Sequence, residues 1–199
     1  MGADNSWPFC AALERARPPG RACCQILYRR GLEGRNLRLI VHRWVPGTSA
    51  ALQTVYPRVP HQRCWVHKMH NILENVRKRD YEGVKSEAQA IYQADRRREA
   101  EAAFRRFRTH WQDAYPSMVK QLEKDLPELL SFFTLPRHLW KELRTTNVIE
   151  RCFVEVRRRT RPMVCFVNVA SVDRIIFSIF NGFNEKWKDR TLRLFTPTA

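Results

Sequence analysis

Acidic residues are scarce in this chain. Only 20 Asp and Glu stand against 36 Lys and Arg, which leaves a net charge of +16 over 199 residues. An excess of that size implies an anionic partner, either nucleic acid, the commonest, or an anionic membrane surface. No apolar run is as long as a membrane span and no N-terminal signal pattern is present, which gives no support to a membrane partner. The expectation is a soluble cytoplasmic, nucleoid-associated protein. Glycine is scarce as well, with 7 residues, and none of them builds a phosphate-cradling loop or a Gly-x-Ser-x-Gly elbow. No Cys–His pair stands in a recognisable nucleophile frame. The cysteines, Cys10, Cys23, Cys24, Cys64, Cys152 and Cys165, are scattered, and without a secretory signal they read as reduced thiols.

What is present is enough for a packed core: 44% of the residues are hydrophobic, and the length allows one domain, or one with a small appendage. Residues 1–28 show no sustained periodicity and include Arg17-Pro18-Pro19-Gly20-Arg21, so that segment is expected to be poorly ordered. Leu37 to Val41, between Gly34 and Pro46-Gly47, fits a buried strand. A short helix is expected over 48–55, stopped near Pro57, and a second short strand over Val59 to Cys64. From Trp65 the period turns helical: Met69, Ile72, Leu73 and Val76; then, after a break at Gly83, Val84, Ala88, Ile91 and Tyr92. Next come Ala100, Ala103, Phe104, Phe107 and Trp111, then Val119, Leu122 and Leu126 after Pro116, with a bend at Pro127. Val172, Ile175, Ile176, Ile179, Phe180, Phe183 and Trp187 make the clearest amphipathic stripe. Arg96-Arg97-Arg98 and Arg105-Arg106 fall on the opposite face from the aromatic stripe, either as a solvated surface or along a phosphate backbone.

Two constellations could carry chemistry. The first is Arg144-Thr145-Thr146-Asn147-Val148-Ile149-Glu150-Arg151, running on to Arg157-Arg158-Arg159-Thr160-Arg161-Pro162. It places a carboxylate just inside a helix start and a basic run two turns later, which suits a divalent metal held next to a phosphodiester. The same spacing also makes a capping box, with Asn147 as N-cap and Glu150 reaching back to a free N–H. The second is His61, Cys64, His67 and His70, every third residue. Zinc takes such ligands, but on one helix each step falls short of a turn by roughly 60°, so the first and last of the four point opposite ways. Packing of Cys64 and Trp65 where a strand ends and a helix starts, with His67 as a hydrogen-bonding residue, is the preferred reading over bound zinc.

Several stretches resemble one family closely. They are Arg29-Arg30-Gly31-Leu32-Glu33-Gly34-Arg35-Asn36-Leu37-Arg38-Leu39-Ile40-Val41, Ala50-Ala51-Leu52-Gln53-Thr54-Val55-Tyr56-Pro57, His61-Gln62-Arg63-Cys64-Trp65-Val66-His67-Lys68 and Thr145-Thr146-Asn147-Val148-Ile149-Glu150-Arg151, together with the helix from Phe183 to Trp187. They resemble the C-terminal half of bacterial Mutator-type insertion-sequence transposases. The resemblance implies a mostly α chain: a truncated ribonuclease-H-like α/β domain over 29–199 that keeps one or two short strands and has a helical insertion at about 65–140. It implies cutting and joining of DNA at insertion-sequence ends, with two aspartates and a glutamate binding divalent metal, Mg or Mn. The family glutamate falls on Glu150, with Glu155 as the fallback, and the family Cys-x-x-His motif on Cys64 and His67. The basic run Arg157, Arg158, Arg159 and Arg161 is the implied DNA contact. Two departures weigh against activity. The turn after the first strand reads His42-Arg43-Trp44-Val45-Pro46-Gly47, so Arg43 occupies the second aspartate position, and the first aspartate is absent. The expectation is an inactive, frameshifted remnant that binds no metal. Its partners are then DNA, further copies of itself or a full-length transposase. The alternative is a basic fragment that binds DNA nonspecifically or interferes with a transposase. Arg43 is further expected to fill the vacated metal position and pair with Glu150.

Overall fold

The computed structural model describes residues 19–35, 37–43, 45–162 and 169–188. The order of elements is α1 (Pro19–Arg29), β1 (Ile40–His42), α2 (Pro46–Val55), β2 (His61–Arg63), α3 (Trp65–Leu73), α4 (Tyr81–Gln93), α5 (Arg97–Trp111), α6 (Pro116–Leu129), α7 (Trp140–Leu143), α8 (Asn147–Thr160) and α9 (Val169–Lys188). The described residues are thus mostly helical, with two short strands. Residues 1–18, Trp44, Cys165 and the side chain of Trp187 lie outside the described residues.

Helix α1 departs from the expectation of poor order over residues 1–28, in the part of that segment the structure describes. Pro19 suits the first turn of a helix, where a missing N–H costs nothing. Gly31 ends it in the left-handed region, at φ +97°, and the Leu32 N–H closes back onto the Leu27 carbonyl at 3.0 Å, as in helices that finish on glycine. The buried Cys24 faces Ala51, Leu52 and Tyr56 of the α2 segment.

Strands β1 and β2 pair in parallel, Ile40 opposite His61 and His42 opposite Arg63. Parallel strands need a crossover connection, and α2 supplies it, opening on Pro46 at its first turn. Both strands overlap the expected segments and are shorter, β1 starting three residues later than Leu37 and β2 two later than Val59.

The main core belongs to the helices that follow. Val84, Ala88 and Ile91 of α4 pack against Ala100, Ala103, Phe104 and Phe107 of α5 and against Met118, Val119 and Leu122 of α6. Full burial of Phe107 alone is worth about 1.5–3 kcal/mol. Gly83 does not break the helical pattern. It lies inside α4, where an added Cβ would meet the Trp111 ring at 3.2 Å, so glycine there allows α4 and α5 to approach closely. Pro127 lies inside the last turn of α6.

A buried charge cluster joins the strands to this module. Asp125 of α6 accepts from Lys68 Nζ at 2.7 Å and from Arg63 Nη1 at 2.6 Å. Gln62, fully buried, donates to the Leu129 carbonyl at 3.0 Å and accepts from the Phe132 N–H at 2.8 Å. Helices α8 and α9 hold a third, smaller cluster of Val156, Ile176 and Ile179.

Candidate functional site

The site forms where β2 hands over to α3. Cys64, buried and extended, precedes the first turn of α3. The Trp65 N–H, free of any helical partner at that position, donates to the Arg144 carbonyl at 2.9 Å. Its indole Nε1 donates to the Leu129 carbonyl at 2.8 Å. Arg144 is itself anchored, with its guanidinium donating to the Tyr92 carbonyl and lying 5.6 Å from the Tyr92 ring centre. The loop before α8 is therefore fixed against the start of α3, and His67, two residues beyond Trp65, faces the first turn of α8.

There His67 Nε2 lies 2.7 Å from Glu150 Oε1. The Thr146 hydroxyl donates to the same oxygen at 2.7 Å, and the Thr146 N–H reaches Cys64 Sγ at 3.3 Å. Cys64, His67, Thr146 and Glu150 thus form one connected group. Glu150 Oε2 has no hydrogen-bond partner among the described residues, and the Glu150 side chain is 44% exposed. The Thr146 hydroxyl does most to hold the Glu150 carboxyl below its ordinary range. Partial burial opposes it, while the His67 contact and the charge of Arg43 add to the lowering.

The capping box expected from Asn147 and Glu150 is not formed. Thr146 is the N-cap, Asn147 is the first helical residue, and the Glu150 side chain turns to His67 and the Thr146 hydroxyl. A ring nitrogen and a hydroxyl satisfy the carboxylate where a lone backbone N–H was expected to.

Arg43 is exposed, and no hydrogen bond or ion pair joins it to Glu150. The expected guanidinium–carboxylate pair is therefore replaced by His67–Glu150, because α3 is already docked against α8 while β1 ends at His42. Arg43 acts on Glu150 only through its charge. His42 is buried, with Nδ1 on the Arg43 carbonyl at 3.1 Å and Nε2 without a partner among the described residues. Burial lowers its pKa, opposed by the hydrogen bond to the Arg43 carbonyl.

The four His and Cys residues spaced by three go to separate places. His61 is in β2, its ring 5.9 Å from that of His42. Cys64 and His67 join the Glu150 group, and His70 pairs with Glu74 at 3.0 Å on the surface. No group of three or more His, Cys, Asp or Glu among the described residues is arranged to hold a metal ion. The described free cysteines, Cys24, Cys64 and Cys152, are all buried.

Glu155 accepts from Arg158 at 2.8 Å and Arg159 at 3.0 Å on its own helix, so two of the four arginines of that run are partly neutralised. Arg157 and Arg161 are exposed and make no ion pair among the described residues. Sequence reasoning missed Thr146 as a carboxylate partner, although its place four residues before Glu150 puts both on one helix face. It also missed Asp125, whose partners lie 57 and 62 positions away and leave no local pattern.

Residues 21–190 match the family described as Transposase, Mutator family. The transposase for insertion sequence element IST2 of Acidithiobacillus ferrooxidans is 37% identical over 174 residues, covering 85% of this chain and 58% of that protein. The transposase for element IS406 of Burkholderia multivorans is 33% identical, over 88% of this chain and 45% of its own length. That for ISRM5 of Rhizobium meliloti is 31% identical, over 80% and 40%. The chain thus spans about half the length of these relatives. Among the described residues no helix is long and apolar enough to cross a membrane.

Proposed function

Because the chain belongs to the Mutator family of transposases, we propose that it represents the C-terminal part of that family's catalytic domain, binding DNA without cutting it. On this reading residues 29–199 descend from a ribonuclease-H-like domain. The β1–α2–β2 unit belongs to its sheet, and the helices of about 65–140 are an insertion between the sheet and Glu150. The observation that supports it is the Glu150 group. A carboxylate with one free oxygen stands at the C-terminal side of the strands, held by His67 and Thr146.

Family members cut and join DNA with divalent metal, and the residues present here do not fit that ion. Paired metals need several carboxylates, whereas the residue just after β1 whose charge acts on Glu150 is the cation Arg43. A positive charge there repels a divalent cation. The chain with magnesium or manganese is expected to leave insertion-sequence ends intact. Metal-dependent cleavage that disappears in Glu150→Ala would overturn this. DNA binding, driven by counterion release, should weaken steeply with salt and follow the exposed Arg157 and Arg161 together with Arg158 and Arg159. A flat salt response would refute it. Nucleoid association in the cell follows from the same charge.

A second reading is supported by the sheet. Among the described residues β1 has one neighbour, β2, and parallel strands are ordinarily flanked and covered. An intact transposase or another copy of this chain could pair with it, making the fragment an interfering partner. Unchanged transposition frequency when the chain is co-expressed with an active relative would exclude this.

A further inference from the structure

Beside the Glu150 group lies a groove of about 460 Å³, which is within the size range of ligand-binding clefts. Its place follows from the helix–helix contact already described. Glu150 and Arg151 are successive residues of α8, and His67 and Val66 are successive residues of α3. The contact between Glu150 and His67 therefore sets Arg151 and Val66 along the same junction, and both line the groove. Apolar groups form its floor: Val66 is 44% exposed, the half-buried Leu73 lies two turns further along α3, and Met69, which also lines the groove, is buried. Cations form its rim. Lys141 and Arg151 are exposed and make no ion pair among the described residues, and Lys85 is shared with Glu82 at 3.3 Å. Glu142 is the one carboxylate lining it.

We infer that this groove seats one unpaired strand of DNA next to Glu150, with a base against Val66 and Leu73 and the flanking phosphates on Lys141 and Arg151. The inference rests on the DNA-binding reading above and deepens it. An apolar floor that includes the half-buried Tyr92 ring, with a basic rim, matches a single strand, whose bases are free to lie on such a surface while its phosphates meet cations. A duplex keeps its bases stacked inside and gains only from the rim. The groove therefore favours a frayed or single-stranded DNA end over a closed helix. The arginines of α8 beyond Glu155, by contrast, meet phosphates of either form.

The test uses the whole chain and a fluorescein-labelled oligonucleotide of about 20 nucleotides, single-stranded or annealed, read by anisotropy across a salt series. Three variants are compared: Lys141→Ala with Arg151→Ala; Val66→Glu alone; and Arg105→Ala with Arg106→Ala, an equal loss of charge on the exposed face of α5. Circular dichroism melts check that each keeps its fold. The groove double variant and Val66→Glu should each weaken single-strand binding about 10-fold more than the α5 control, or about 1.4 kcal/mol, with a smaller loss on duplex. Equal losses in the groove and control variants overturn the groove and leave the DNA-binding reading standing. Equal losses on single strand and duplex overturn the strand preference. Absence of binding by the unaltered chain at low salt overturns both.

Discussion

The helical module and the strand-bearing region divide this molecule unequally. The module's core runs from Trp65 to Phe132, with Val84, Ala88, Ile91, Phe107 and Leu122 sealed from solvent. The strand region has Cys24, Ala51, Leu52, Tyr56 and Val59, and strands of three residues each. Helix contacts are local and close on themselves, whereas a parallel sheet is complete only when its faces and edges are covered. The module accordingly behaves as a finished unit and the sheet as part of one. The Glu150 group draws on both sides: Cys64 ends the strand region, and the module fixes the entry to α8 through Arg144.

That contrast can be broken at its joint first. Asp125→Ala should cost about 3–5 kcal/mol, because it strands Lys68 as a buried, unpaired charge and leaves Arg63 with Glu128 in place of two carboxylates. Urea unfolding measures it, and a loss under about 1 kcal/mol would show that the cluster does not couple the two regions. Phe107→Ala should cost a similar 3–5 kcal/mol by opening a cavity in the module. Leu52→Ala should cost about 2–3 kcal/mol and should show as a local opening. In hydrogen exchange, amides of β1 and α2 should lose protection while those of α4 and α5 keep theirs. Uniform loss across both regions would remove the distinction.

The smallest effects sharpen the site. Thr146→Val should raise the Glu150 pKa most, His67→Ala less and Arg43→Ala least, in the order of their influence on the carboxyl. Carboxyl NMR reads all three, and a larger shift from Arg43→Ala than from Thr146→Val would restore direct pairing with the arginine. The sign with pH follows from the depression. Ionised Glu150 adds stability above the ordinary carboxylate value, about 4.3, and that contribution is lost as pH falls through its lowered folded value. In His67→Ala the acid limb of stability should be shallower.

The legible parts of the fold were those written in local periodicity. The apolar positions of α4, α5 and α6 were readable because Phe104, Phe107 and Leu122 recur at helical spacing and all became buried. The strands were legible to within three residues. Helix α1 was not, although Gly31 after Arg29 is a helix-ending signal, because Arg17-Pro18-Pro19-Gly20 hid its start. Gly83 was misread as punctuation, since its role depends on Trp111, 28 positions away. At the site, Glu150, Cys64 and His67 were each singled out from the sequence, but not their contact. No spacing rule relates residues 67 and 150, and no local pattern announced that Thr146 would take the N-cap position of α8 in place of Asn147.

The exposure of Arg43 bears on how such a chain changes over generations. The side chain makes no ion pair among the described residues and fills no core, and Glu150 is held by residues from α3 and α8 instead. On the proposed reading, exchanging an acid for arginine at that position removes chemistry while leaving folding untouched. Cellular quality control, which surveys exposed hydrophobic surface and unfolded chains, has nothing to detect in such a change. A lesion of this kind can accumulate in a well-folded, abundant protein, and the surrounding scaffold can then be retained for binding long after its catalytic use has ended.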